Sequence, residues 1–405
     1  MTKYGRSPWI DEFPKSRVPS FPRYKGAETT DVVVLGGGLT GCVSAYAFAA
    51  AGARVLLLEA DQIGRGSGGF SSGWISDEPG VPFGVLEKTV GLRQARRAFH
   101  SWRRAARDFA ALLRRHDIKC GLEARPTITA AVTPEQAARA KKEQKARREA
   151  GLDAVLINAR ATRAAVALDA ATSLRAKDTA TIDPYRAAVG LAHAAADRGA
   201  TLFERSPVRR IRFNRKIAEV FTAGGSIKTR RVVVATGMPT PLHRSLARHF
   251  WFRTTFFALT SPLPAKIRRQ LGQRDAVVRD SGDLPHVIRW VGEDRILING
   301  ADAAAAPPRQ RDKVVVQRTG QLMYELSTLY PDISGVQPEY GWAADYALTD
   351  NGLPAIGPHR NFPHHLFAFG DASHSVTGAF LASRIMLRHH FEEMDPGDAA
   401  FAFRR

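Results

Sequence analysis

The chain has 405 residues, 44% of them hydrophobic and 24% charged, enough to bury a core in two domains and inconsistent with a fibrous or low-complexity protein. Lysine and arginine number 59 against 39 aspartate and glutamate, a net charge of +20, so the distribution of charge must be weighed against nucleic-acid or acidic-surface binding. Two cysteines, Cys42 and Cys120, are too few for a disulfide framework and lack metal-ligand spacing; a reducing compartment fits, and the cytoplasm is the expected location.

No stretch reaches the roughly 18 apolar residues of a membrane span. Residues 1–26 combine scattered Lys and Arg with several prolines and no apolar run, and read as an extended leader on the domain surface anchored by Trp9, Ile10 and Phe13. Val32-Val33-Val34-Leu35 is then a buried-strand signal. Gly36-Gly37-Gly38-Leu39-Thr40-Gly41 follows, with a small-residue helix running to a stop at Gly52. A second strand at 54–59 completes a βαβ unit.

Residues 91–117 have a helical pattern, with Ala95, Phe99, Trp102, Ala106, Phe109 and Leu113 on one face and arginines opposite. A polar helix is predicted at 134–150, and Asp183-Pro184 introduces another helix over 185–198. Strands follow at 201–204, 208–213, 217–222 and 231–235. Short apolar runs between turns over 252–300 predict an antiparallel sheet, and 366–370 followed by 376–391 returns to strand then helix. Dinucleotide-type pieces thus lie at the start, middle and end, with other pieces between. The expected class is α/β, a Rossmann-type domain interlaced with an antiparallel-sheet-plus-helices domain. Its first domain takes 31–85, 185–245 and 340–405, its second 86–184 and 246–339, with 1–30 as leader.

Gly36, Gly38 and Gly41 form Gly-x-Gly-x-x-Gly between strand and helix, the arrangement that lets backbone N–H groups approach a pyrophosphate. Glu59 lies 21 residues after Gly38, at the end of the second strand, where a carboxylate accepts from ribose hydroxyls; an acid there argues against a 2′-phosphate. The loop 64–73, rich in glycine and serine, is a candidate for close backbone approach to the second half of a larger cofactor. Val232-Val233-Val234-Ala235-Thr236-Gly237 reads as one more buried strand ending in a small turn.

These blocks, together with Ser7-Pro8-Trp9-Ile10-Asp11, Thr181 to Arg186, Asp350 to Gly357 and Phe369 to His374, resemble the D-amino-acid oxidase and sarcosine/glycine oxidase type of FAD-dependent amine oxidoreductases. The leader and the Asp-Pro-Tyr block look most like the bacterial γ-glutamylputrescine oxidase-like branch. The resemblance implies FAD, with its ADP half on Gly36, Gly38, Leu39, Thr40, Gly41, Glu59 and Ala60. It further implies Arg65, Gly66, Ser67, Ser71, Ser72 and Gly73 near the flavin, Val208 at the adenosine end, and Thr236 and Gly237 in the adjoining turn. Gly370, Asp371, His374, Ser375, Val376 and Thr377 are implied at the flavin edge, where the last helix begins. The implied reaction is hydride transfer from a C–H beside an amine nitrogen to flavin N5, giving an imine that hydrolyses. Oxygen, a quinone or a carrier then accepts the electrons. A flavin-binding protein that has lost its amine-oxidising activity is the alternative.

The chain departs from the family where Ser71 replaces an Asn or His, where Ala372-Ser373-His374-Ser375 replaces Ser-Gly-His-Gly, and where Thr377 replaces the carboxylate-holding lysine of the sarcosine-oxidase branch. That branch's loop arginine also has no counterpart among Trp74, Ile75 and Ser76, which disfavours sarcosine or a simple α-amino acid held in that way. A polyamine-like or N-substituted amine is the leading substrate class, a D-amino or imino acid the next. Arg289, on a predicted strand, is a candidate anion clamp, and His374 a candidate base or flavin partner. Cys42 sits inside the glycine turn, a poor place for a covalent flavin link. The basic helices carry no aromatic interleaving, zinc spacing or helix-turn-helix signal, so no nucleic-acid partner is expected; a solvated charged face is the leading reading of the charge, and peripheral contact with an anionic surface the other.

Overall fold

A computed structural model describes residues 1–282, 285–371 and 375–404. Its first organising element is an eight-stranded sheet. The strands run in the order Thr201–Phe203, Val55–Leu58, Gly26–Leu35, Gly225–Gly237, Ala218–Phe221 and Arg210–Phe213; Phe362–Phe369 also pairs with Gly225–Gly237, and Ala355–His359 with Phe362–Phe369. The central pairings are parallel: Val33 lies opposite both Leu56 and Val232, and Val233 opposite Leu366. Parallel strands are covered on both faces, which is why Val32, Val33 and Val34 are all apolar and all fully buried.

The helices Leu39–Ala50, Pro184–Asp197 and Thr377–Phe391 cover one face. Asp183 caps the second of these by accepting from the Tyr185 and Arg186 amides, as the Asp-Pro pair predicts. The helix Leu92–Arg115 joins them: Ala95, Phe99, Trp102, Phe109 and Leu113 are buried in the same core, and Phe109 stacks on Phe380 with centroids 5.5 Å apart. Its chain position assigned it to the second domain; its apolar stripe packs in the same cluster as the helices on the eight-stranded sheet. Part of its arginine face is used in ion pairs, Arg103 with Asp153 and Asp178 and Arg104 with Asp395.

The second element is a nine-stranded sheet, largely antiparallel, running from Lys3–Tyr4 through Pro338–Leu348, Trp251–Thr260, Arg295–Ala304, Val287–Val291 and Val277–Asp280 to Thr127–Ala131, Thr172–Ala176 and Val155–Asn158. Alternation sorts its side chains. Ile288, Ile296 and Ile298 pack with Leu322 and Leu326 of the helix Arg311–Leu329, while Leu297, Phe257 and Trp342 form a separate cluster with Trp9 and Tyr185. Pro338–Leu348, which spans the division expected near residue 340, pairs in this sheet. Near the start of the chain Trp9 is buried, and Phe13 meets Tyr185 edge-on at 5.1 Å; the first strand of the eight-stranded sheet begins at Gly26, inside the expected leader. Among the described residues, no helix is long and apolar enough to cross a membrane.

Candidate cofactor and substrate site

The carboxyl ends of the parallel strands open into a cavity of about 760 Å³, where ligands of open α/β sheets bind. Gly36 turns the chain with φ +101, and a Cβ there would meet the Ala235 carbonyl at 2.8 Å. At Gly41 a Cβ would lie 1.7 Å from the Gly36 oxygen, so only glycine lets the helix press against the turn. Gly38 differs: the nearest atom to its absent Cβ is the Gly66 Cα at 3.6 Å, so a side chain would enter the cavity rather than the core. The helix Leu39–Ala50 begins there without a side-chain cap, leaving its first amides for a ligand.

Glu59 ends the second strand with both carboxylate oxygens anchored. Oε2 accepts from the Gly37 amide at 2.6 Å and Oε1 from the Asp61 amide at 2.8 Å. Each oxygen retains a lone pair for a hydroxyl, the property a ribose contact requires. Cys42 is fully buried with its thiol donating to the Gly37 carbonyl at 3.3 Å, and burial pushes its pKa far up, so it is no nucleophile.

Leu39, Thr40, Ala60, Arg65, Gly66, Ser67, Ser71 and Val208 line this cavity, as do Thr236, Gly237, Gly370, Asp371, Ser375 and Val376. Gly41, Ser72, Gly73 and Thr377 do not: they sit behind the wall. His374 lies outside the described residues. Thr240, Thr255 and His243 line the same space, while their Oγ1, Oγ1 and Nδ1 atoms are buried without a hydrogen-bond partner. A glycine turn opening onto helix amides, an acid at the strand end and a nearby arginine together fit an adenine dinucleotide.

The start of the last helix is closed rather than cationic. Thr377 is fully buried; its hydroxyl donates to the Ser76 carbonyl at 2.8 Å and accepts from Ser375 Oγ at 2.9 Å. Ser375 Oγ also accepts from the Ser76 amide at 3.0 Å. Gly378 leaves room for Asp371, whose Oδ2 would be 1.8 Å from a Cβ at 378.

Arg289 is 4% exposed and does not line the cavity. Its Nη2 donates to the Ile182 carbonyl at 3.1 Å, its guanidinium lies 4.9 Å from the centre of the Trp9 ring, and burial pulls its pKa down to about 9. The alternation that places it on the inner sheet face cannot say how deep along that face it lies.

Other residues of the second sheet reach the cavity. Thr255, Phe257 and Tyr346 line it, and Phe257 stacks on Trp342 at 5.0 Å with an interplanar angle of 3°. The Tyr346 hydroxyl donates to Asp302 Oδ2 at 2.5 Å; burial, then the adjacent Asp302 charge, raises the phenol pKa well above its usual value. Sequence reading singled out none of these. The one available signal was strand alternation, which leaves the site end of each strand undetermined. Among the described residues, no group of three or more His, Cys, Asp or Glu could hold a metal ion.

The family model described as DAO, FAD dependent oxidoreductase, matches residues 31–388. Gamma-glutamylputrescine oxidoreductase of Escherichia coli (strain K12) is 28% identical over 374 residues, covering 91% of this chain and 85% of that protein. Among solved structures, glycine oxidase from Geobacillus kaustophilus superposes with a TM-score of 0.74 at 20% identity, covering 93% of this chain and 99% of that one. L-amino acid deaminase from Proteus vulgaris gives 0.76 at 14% identity, covering 95% and 99%. At these identities the structural likeness shows a shared fold.

Proposed function

The chain belongs to the DAO family of FAD-dependent oxidoreductases, and on that premise we propose that it oxidises a carbon–nitrogen bond of a small amine, the product imine then hydrolysing to a carbonyl compound and a free amine or ammonia. The observation that carries this reading is one cavity lined both by the dinucleotide cradle, Gly38 and Glu59, and by Thr255, Phe257 and Tyr346 of the second sheet. When bound, FAD supplies the two-electron acceptor for a hydride leaving the carbon next to nitrogen.

The chain's own residues do the rest. Gly38, Gly66 and the first amides of the helix Leu39–Ala50 hold the pyrophosphate with Arg65, and Glu59 accepts from the ribose. Phe257, backed by the stacked Trp342 ring, gives the substrate side a flat apolar wall that excludes water. Tyr346 offers a hydroxyl oxygen, made more electron-rich by the Asp302 carboxylate it donates to, to an ammonium group, an arrangement suited to the non-reacting end of a diamine. The two carboxylate-holding positions of the sarcosine-oxidase branch are filled here by neutral groups, Thr377 and the segment Trp74 to Ser76, and Arg289 is turned to backbone carbonyls. A cationic amine is therefore favoured over a simple α-amino acid. The 28% identity to gamma-glutamylputrescine oxidoreductase supports the same class.

The decisive experiment is the visible spectrum of the purified holoprotein under anaerobic conditions before and after adding diamines, N-substituted amines and amino acids. Bleaching by amines is expected, and admission of oxygen then reports whether oxygen is the acceptor. A yellow protein bleached by amino acids alone, or by no donor of either class, would overturn the reading.

A further inference from the structure

The loop bordering the cavity is held from behind by side chains remote from it in sequence. Ser7 Oγ donates to the Gly69 carbonyl at 2.8 Å, Trp342 Nε1 to the Phe70 carbonyl at 2.8 Å, and Trp9 Nε1 to the Ser71 carbonyl at 2.9 Å. All three donors are buried, and none of them lines the cavity, whereas Phe70 and Ser71 do. Three successive carbonyls are thus drawn to one side. A planar trans peptide carries its N–H opposite its C=O, so fixing these oxygens fixes the planes from Gly69 to Ser72.

Two of the donors belong to the leader, whose other fastenings are separate. Asp11 accepts from Lys3 Nζ at 2.9 Å and from the Tyr340 hydroxyl at 2.9 Å, and Glu12 accepts from Arg295 at 2.5 Å. These bonds tie the leader to the nine-stranded sheet without touching the loop. An indole N–H needs a partner when buried; here both indoles find it on adjacent residues of one loop, and a hydroxyl takes the carbonyl before them.

We propose that Ser7, Trp9 and Trp342 are positioning residues for the cofactor: by drawing the Gly69, Phe70 and Ser71 carbonyls back, they hold Phe70 and Ser71 in the cavity wall and keep three carbonyl oxygens away from bound FAD. Carbonyl oxygens repel negative charge, so the leader tunes the cofactor through a loop it supports from behind. The proposal rests on FAD as the cofactor and is independent of which donor is oxidised.

The test is FAD titration of the apoprotein, followed by flavin fluorescence, for Ser7→Ala, Trp9→Phe and the two combined. Asp11→Asn serves as a leader variant that does not touch the loop. The combined variant is expected to raise the FAD dissociation constant on the order of tenfold and to alter the visible spectrum of the bound flavin. Asp11→Asn leaves both unchanged, and every apoprotein melts as the wild type does. An unaltered dissociation constant and spectrum in the combined variant would overturn the proposal. So would an equal change in Asp11→Asn, which would make the leader a general strap. If the combined variant does not fold, Trp9→Phe alone decides, because it keeps an aromatic ring beside Arg289 while removing the N–H donor. Wild-type protein that takes up no FAD would overturn the cofactor assignment itself, a result distinct from either.

Discussion

Tyr346 donates to Asp302 across the intervening strand Trp251–Thr260, at 2.5 Å. The contact depends on an irregularity: the pairing of Trp251–Thr260 with Arg295–Ala304 slips between Thr254 and Phe256, and Ala301 takes φ +51. A bulge of this kind re-aims the side chain that follows it, and here it brings Asp302 to a tyrosine that lines the cavity.

Asp302→Asn keeps the shape of that group and removes its charge. For a diamine substrate, KM is expected to rise about tenfold or more, since a hydrogen bond to a charged group contributes roughly 1.5–3 kcal/mol. The change in kcat should be smaller, because the affected end does not react. Steady-state kinetics on a diamine and on a monoamine of equal length check this; an equal rise for both would remove Asp302 from recognition.

Glu59→Gln tests the cradle. The glutamine amide sets an N–H₂ against either the Gly37 or the Asp61 N–H, where the carboxylate now accepts from both. A weakening of FAD binding by about ten- to a hundredfold is expected from the loss of one charge-assisted bond and the donor–donor conflict. Fluorescence titration of the apoprotein measures it.

Thr377→Lys restores the cation of the sarcosine-oxidase branch. Thr377 is fully buried within the Ser76–Ser375 network, so a lysine there is an uncompensated charge. The variant should lose about 3 kcal/mol or more of stability and gain no sarcosine oxidation. Thermal unfolding and a sarcosine assay check the two parts separately.

His243 and His365 predict the acid limb of stability. Burial pulls their pKa values down to about 4 and about 3, and the His365 ring stacks on Phe367 with both nitrogens unpartnered. A group depressed on folding contributes its full stability above the unfolded value near 6.5, and that contribution falls as pH drops from 6.5 towards 3. The melting temperature should therefore decline below pH 6.5. His365→Phe, which keeps the stack, should make the decline shallower.

The βαβ unit was legible because its rules are local. A β-branched run, a glycine turn no other residue can make, a small-residue helix and an acid at the strand end each follow from the backbone of a few neighbouring residues, and the structure has all four in register. The Asp183-Pro184 helix start and the leader's Trp9 anchor were legible for the same reason. The helix Leu92–Arg115 was legible as an element but not as to its partner, since an apolar stripe specifies a burial need and not which sheet meets it.

The sequence by itself determined the family, the FAD cofactor and the glycine turn with Glu59 after the second strand, because these are stated by residue type at fixed spacing. Only the tertiary structure decided that Arg289 turns to the Ile182 carbonyl, that Thr377 is sealed against Ser76, and that Tyr346 meets Asp302 beside the cavity. Those outcomes depend on sheet register, a bulge and crossings between segments hundreds of residues apart, where contact is set by packing of the whole chain and leaves no mark in the spacing of the residues that make it.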